Sequence, residues 1–88
     1  MNKDNYGVAK FLDVSMQHLS KHTYEFETFY RLSTYPEGIF FWVPSEYDYP
    51  VPDDLKIVFD YAREHDCMIV RFDDDGMLFP EFPEYDWE

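Results

Sequence analysis

Apolar residues recur along this chain in two rhythms, one suited to strands and one to helices. In residues 8–14 the apolar Val8, Phe11 and Val14 are separated by Lys10 and Asp13, an imperfect strand pattern. Beyond Ser20 or Thr23, either a suitable N-cap, Phe26, Phe29, Tyr30 and Ser33 fall at i, i+3, i+4 and i+7. That spacing predicts a helix ended by Pro36 and Gly38. Gly38-Ile-Phe-Phe-Trp-Val-Pro44 is an unbroken apolar run between chain breakers and predicts a central strand, apolar on both faces. Pro44, Pro50 and Pro52 make residues 45–52 a loop.

Asp53 and Asp54 then open a second helix, where negative charge suits the N-terminal dipole. Leu55, Val58, Phe59 and Ala62 give it a buried stripe, with Arg63 and His65 near its end. Residues 67–72 predict another strand and Asp73-Asp74-Asp75-Gly76 a turn. Asp75-Gly76 is a hairpin signal that returns residues 77–79 as an edge strand. Residues 80–88, with two prolines, form an extended tail of acids and aromatics whose rings dock on the body. The expected fold is α/β: a three- to four-stranded sheet with two helices on one face, in the order β-α-β-α-β with an optional C-terminal hairpin strand. Each β-α-β step is expected to be a parallel, right-handed crossover. Residues 1–88 make one acidic domain, since a chain of 88 residues has room for a single core.

Charge changes this picture more than any motif. The net charge is −12, and it is lopsided: residues 1–43 carry five acids against four bases, residues 44–88 fourteen against three. Such a field repels nucleic acid and anionic membrane and attracts basic surfaces. The lone Cys67 excludes an internal disulfide, and the opening MNKDNYGVAK lacks the pattern of a signal peptide. No apolar run approaches a membrane span, so a soluble cytoplasmic protein is expected.

Aromatics make up 22% of the chain. Phe11, Phe26, Phe29, Phe40, Trp42, Phe59 and Phe72 occupy core positions. Tyr47, Tyr49, Phe82, Tyr85 and Trp87 instead interleave with acids, in Glu46-Tyr47-Asp48-Tyr49 and Glu81-Phe-Pro-Glu84-Tyr85-Asp86-Trp87-Glu88. Nucleic-acid binders interleave aromatics with basic residues; here the sign is reversed. Carboxylates at i and i+2 of an extended segment stand ~6.6 Å apart, near the pitch of phosphates along a strand. The expected partner-binding residues are therefore Glu46, Tyr47, Asp48, Tyr49, Asp73, Asp74, Asp75, Glu84, Tyr85, Asp86 and Trp87, acting on a basic nucleic-acid-binding host protein or complex and not on nucleic acid itself.

Catalytic and metal readings are weaker. Met68-Ile-Val-Arg-Phe-Asp73-Asp74-Asp75-Gly76-Met77-Leu78 resembles the first motif of haloacid dehalogenase-type phosphatases, D-x-D-G-T-L after an apolar strand. The resemblance would make Asp73 the nucleophile, Asp75 the proton-handling acid, and both magnesium ligands. Met77 replaces the Thr, and twelve residues follow Gly76, whereas that family needs a Lys and further acids far downstream. A calcium loop fails for want of its closing Glu. His18, His22, His65 and Cys67 are the right residue types for zinc, but no CxxC or HExxH anchors them. With neither a G-x-S-x-G motif nor a Gly-rich phosphate loop, no enzyme, cofactor or metal is expected.

Several short stretches resemble an uncharacterised family of small proteins carried by conjugative plasmids, phages and prophages. They are Val14-Ser-Met-Gln-His18-Leu, Phe41-Trp-Val-Pro-Ser-Glu46, Pro52-Asp-Asp-Leu55, Ala62-Arg-Glu-His-Asp-Cys67, Phe72-Asp-Asp-Asp-Gly76 and Tyr85-Asp-Trp87. The resemblance implies mobile-element origin and no established activity. Combined with the charge, it gives three functional expectations. The first is an inhibitor that mimics nucleic-acid charge and occupies the groove of a CRISPR effector or restriction enzyme. The second is an immunity protein or antitoxin against a basic nuclease toxin, and the third a phosphatase-like or metal-binding protein acting through Asp73 and Asp75.

Overall fold

The computed structural model describes residues 8–25 and 30–86. Its elements are β1 (Phe11–Ser15), a 3-10 turn (Met16–His18), α1 (Lys21–Glu25), β2 (Arg31–Tyr35), β3 (Gly38–Trp42), α2 (Asp53–Glu64) and β4 (Ile69–Asp73). The α/β class and the two helices agree with the sequence pattern. The four strands form one sheet in the order β1-β4-β3-β2. Only β1 and β4 run parallel; β4 with β3, and β3 with β2, are antiparallel. The expectation of parallel crossovers at every step is thus corrected. The segment holding α2 brings the chain back beside β3 in the opposite sense, and β4 then takes the slot between β3 and β1.

The described part of the first expected helix divides between a short helix and a strand. Among the described residues of this stretch Lys21–Glu25 is helical, with Ser20 as its cap, accepting from Thr23 N–H through Oγ at 3.1 Å. Tyr30 lies in a turn and Ser33 in β2, while Phe26 and Phe29 lie outside the described residues. Pro36-Glu37 joins β2 to β3 as a two-residue turn, with Tyr35 paired to Gly38. Pairing to the strongly apolar β3 thus overrides a helical spacing that rests on few residues.

Register sorts the strand side chains. Leu12 and Val14 of β1, Val70 and Phe72 of β4, and Ile39 and Phe41 of β3 share one face and meet Leu55, Val58, Phe59 and Ala62 of α2 in the core. Phe41 makes edge contacts with both Phe59 and Phe72. The other face carries Phe11, Phe40 and Trp42, placed in the core by sequence. Phe11 is 50% exposed and Trp42 43%. In β1 the core takes residues two apart, 12 and 14, whereas residues 8, 11 and 14 are three apart and cannot share one strand face.

α2 begins at Asp53 as the sequence requires, yet Asp54 is buried. Its carboxylate accepts from Ser20 N–H at 2.9 Å and from the Thr23 hydroxyl at 2.6 Å, tying α1 to the start of α2. Asp66, at φ 61°, turns the chain out of the helix, a conformation its short polar side chain tolerates.

The expected C-terminal hairpin does not form. Met77 makes an isolated parallel bridge to Val14, outside the β1 edge, and does not fold back on β4. The tail then crosses the body and docks Phe82 on it, as expected of the tail's rings, but so deeply that Phe82 joins the core positions from which its alternation with acids had excluded it. Phe82 contacts Tyr61, Phe79 and His18, and this apolar seat outweighs the polarity of its sequence neighbours.

Candidate functional site

Two of the three acidic segments meet. The turn after β4 and the tail face each other across an open groove of about 700 Å3. Glu37, Asp74, Glu84 and Asp86 supply its charge; Met16, Tyr24, Pro36 and Tyr85 supply apolar wall. Backbone hydrogen bonds fix the geometry. Asp74 N–H donates to the Glu37 carbonyl at 2.9 Å, joining the turn after β4 to the β2–β3 turn. Tyr85 N–H donates to the Gln17 carbonyl at 2.7 Å, joining the tail to the 3-10 turn.

The tail is also held by His18. That ring is fully buried, accepts from Phe79 N–H at Nε2 (2.8 Å) and sits 2.9 Å from the Pro83 carbonyl at Nδ1. Since Nε2 accepts, the proton is on Nδ1 and is donated to Pro83. The ring also meets Phe79 and Phe82 edge-on. Glu84, Tyr85 and Asp86 follow directly, so His18 positions three groove residues. His18, Glu37, Tyr24 and Met16 were not among the expected site residues. The Pro-Glu-Gly turn signal was present at Glu37, but it stood at the end of an expected helix.

The third segment lies elsewhere. Glu46, Tyr47, Asp48 and Tyr49 do not line the groove; their loop packs along α2. Tyr47 donates to Asp60 at 2.7 Å and accepts from Arg63 at 2.7 Å, with Lys56 and Arg63 over its ring. The N–H groups of Asp48 and Tyr49 both donate to the Tyr30 hydroxyl. Asp73 points to the open sheet face, where Tyr35 donates to it, and it also accepts from Asp75 N–H at 2.8 Å. Trp87 lies outside the described residues.

The local chemistry follows from these contacts. The Tyr35 hydrogen bond, then that from Asp75 N–H, lowers the Asp73 carboxyl below its usual range, so it is an engaged anion. Burial and then the Asp73 hydrogen bond push the Tyr35 phenol up to about 12; burial and then Asp60 do the same for Tyr47. Burial, followed by the charges of Asp54 and Asp53, raises Tyr85. A phenol whose folded pKa is raised contributes stability that is complete below its unfolded pKa, near 10, and lost as pH rises through 12. Titration of the phenolate ultraviolet band is therefore expected to leave Tyr35 and Tyr47 un-ionised after ordinary tyrosines have titrated. Tyr35→Phe should remove one late proton, and an unchanged curve for that variant would contradict the Asp73 contact.

The zinc-type residues do not converge. His18 spends both ring nitrogens on backbone groups, His65 stacks on Tyr61, His22 is exposed in α1, and the Cys67 thiol is directed to the His65 carbonyl. Among the described residues no three of His, Cys, Asp and Glu are arranged to hold a metal ion. Nor is any helix among them long and apolar enough to cross a membrane.

Comparison with known proteins adds a family. The model described as the family of unknown function DUF5983, C-terminal domain, matches residues 11–87, nearly the whole chain. No curated protein and no solved structure gives a match.

Proposed function

We propose a role for this chain, which belongs to the DUF5983 family of unknown function: an acidic inhibitor, carried by a mobile element and acting in the cytoplasm, that binds the nucleic-acid-binding surface of a host defence complex. A CRISPR effector or a restriction enzyme is the class of target. The observation that carries the reading is the groove, where the two acidic segments converge with tyrosine walls. Carboxylates at its rim attract Lys and Arg that otherwise hold phosphate, and Tyr24 and Tyr85 offer faces for their stems and guanidinium planes. No catalytic residue is part of this reading. The Asp73 carboxylate accepts from the Tyr35 hydroxyl and from Asp75 N–H, as an anchored turn needs.

The test is inhibition of DNA binding by purified CRISPR effectors and restriction enzymes, with the wild type and a variant carrying Glu37→Gln, Asp74→Asn, Glu84→Gln and Asp86→Asn. At ~0.5–1 kcal/mol per rim charge, the four changes should weaken binding about 100-fold at low salt, with circular dichroism unchanged. Glu46→Gln with Asp48→Asn is the control and should change it little. Binding of the wild type should weaken as salt rises. A folded groove variant with wild-type affinity would make the acidity a solubility feature. Capture of a nuclease toxin with no effect on defence complexes would favour the antitoxin role.

A further inference from the structure

The two edges of the sheet are not alike. At β1 the chain covers its own edge: Ser15 N–H donates to the Met77 carbonyl at 2.8 Å, and Val14 bridges Met77. At β2 no further strand pairs among the described residues, and Leu32, Ser33 and Thr34 are exposed. The bulge of β2 lies between Arg31 and Ser33. From Ser33 to Tyr35 the edge therefore has no bulge, and it has no Lys or Pro to blunt it either.

Hydrogen bonds along β3 show which backbone groups of β2 face outward. Trp42 N–H donates to the Tyr30 carbonyl and Val43 N–H to the Met68 carbonyl, on opposite sides of the strand. Counting back by twos, Gly38 and Phe40 turn their groups toward β2, and Ile39 and Phe41 toward β4. Thr34 stands opposite Ile39, so its N–H and C=O point away from the sheet. An outward N–H beside an outward C=O is matched by another extended backbone. Tyr35 ends the strand, and the next residues, Pro36 and Glu37, line the acidic groove. The groove selects the sign of what lies along this edge. Glu37, Asp74, Glu84 and Asp86 favour Lys and Arg, while the net charge of −12 opposes the β2 edge of a second copy.

We propose that the partner supplies an extended basic segment that adds to the four-stranded sheet beside β2, exchanging hydrogen bonds with Thr34 and carrying its Lys or Arg into the groove. This rests on the reading of the groove as the site for a basic surface, and adds the form the partner takes there. Charge supplies the attraction, and the edge selects a segment free to extend over a helix of equal charge. Two net backbone hydrogen bonds strengthen binding about 10-fold.

The probes are a short peptide of alternating lysine and valine and the same peptide N-methylated at every amide, which keeps the charge and removes the strand's donors. By nuclear magnetic resonance titration at low salt, the unmodified peptide should bind about 10-fold more tightly and slow the exchange of Thr34 N–H. Thr34→Pro should lower its affinity to that of the methylated peptide with an unchanged circular dichroism spectrum, since proline is tolerated where an edge N–H faces water. The variant with its four groove carboxylates neutralised should bind both peptides more weakly and keep their ratio. Equal affinities for the two peptides, with Thr34 exchange unchanged, overturn strand addition and leave the inhibitor reading standing, and this comparison needs no variant. Binding of neither peptide overturns both. Protection of Thr34 without peptide, in a chain that sediments as a dimer, overturns the proposal in favour of self-pairing.

Discussion

Replacing His18 with alanine is expected to lower stability by about 3–4 kcal/mol, a large share of what an 88-residue domain possesses. Two hydrogen bonds disappear, and Phe79 N–H and the Pro83 carbonyl are left without partners, at ~1 kcal/mol or more each. The ring's contacts with Phe79 and Phe82 leave a void in a fully buried position, which adds a further 1–2 kcal/mol, roughly. The midpoint of thermal unfolding should fall by on the order of 20 °C. Hydrogen exchange should show Tyr85 N–H losing protection before the strands do, because its bond to Gln17 depends on the tail being seated. His22→Ala, exposed on α1, is the control and should change stability by under ~0.5 kcal/mol. If His18→Ala unfolds at the wild-type urea midpoint, the ring is not the clasp described.

Gly76→Ala should be nearly as damaging, at about 3 kcal/mol. A Cβ at this position would fall within the Val14 carbonyl group and 2.7 Å from Ser15 N, all of it backbone that cannot rotate away. The turn would have to withdraw from β1, losing the hydrogen bond from Ser15 N–H to the Met77 carbonyl at 2.8 Å. Overpacking of this kind typically costs ~1–3 kcal/mol, and the lost hydrogen bond adds ~1. Asp75→Ala, one residue earlier and exposed, should cost under ~0.5 kcal/mol. Urea unfolding of the two variants decides the matter. Equal midpoints would show that Gly76 acts only as a flexible turn residue. The shift should also carry Asp74 away from Glu37, so Gly76→Ala is expected to weaken partner binding even where it remains folded.

The sequence could assign α2 because three independent signals agree there: paired aspartates at its start, a stripe at 55, 58, 59 and 62, and prolines before it. β3 was legible for a similar reason, as an apolar run between a glycine and a proline with no competing pattern. Charge asymmetry likewise needed no coordinates, since it is a property of composition. The segment from Ser20 to Tyr35 was not legible. Its helical spacing depended on four residues, and β2 exists through pairing with β3 and closure by Pro36-Glu37.

The groove was half legible. Asp74, Glu84, Tyr85 and Asp86 stood out by their alternation of acid and aromatic, but nothing local places residue 74 beside residue 37, or residue 85 beside residue 17. Those approaches arise because β4 inserts between β1 and β3, which brings the turns at one end of the sheet together, and because a buried histidine fixes the tail across the body. The separation of Glu46–Tyr49 from the other acids has the same origin: Lys56, Asp60 and Arg63 of α2 hold Tyr47 on the helix flank. What the sequence determined is whatever local propensity and composition settle: the α/β class, α2, β3 and the acidity. Strand order, which aromatics face water and which carboxylates share a surface were decided by tertiary structure, because each depends on contacts between residues far apart in the chain, where register and burial set the outcome.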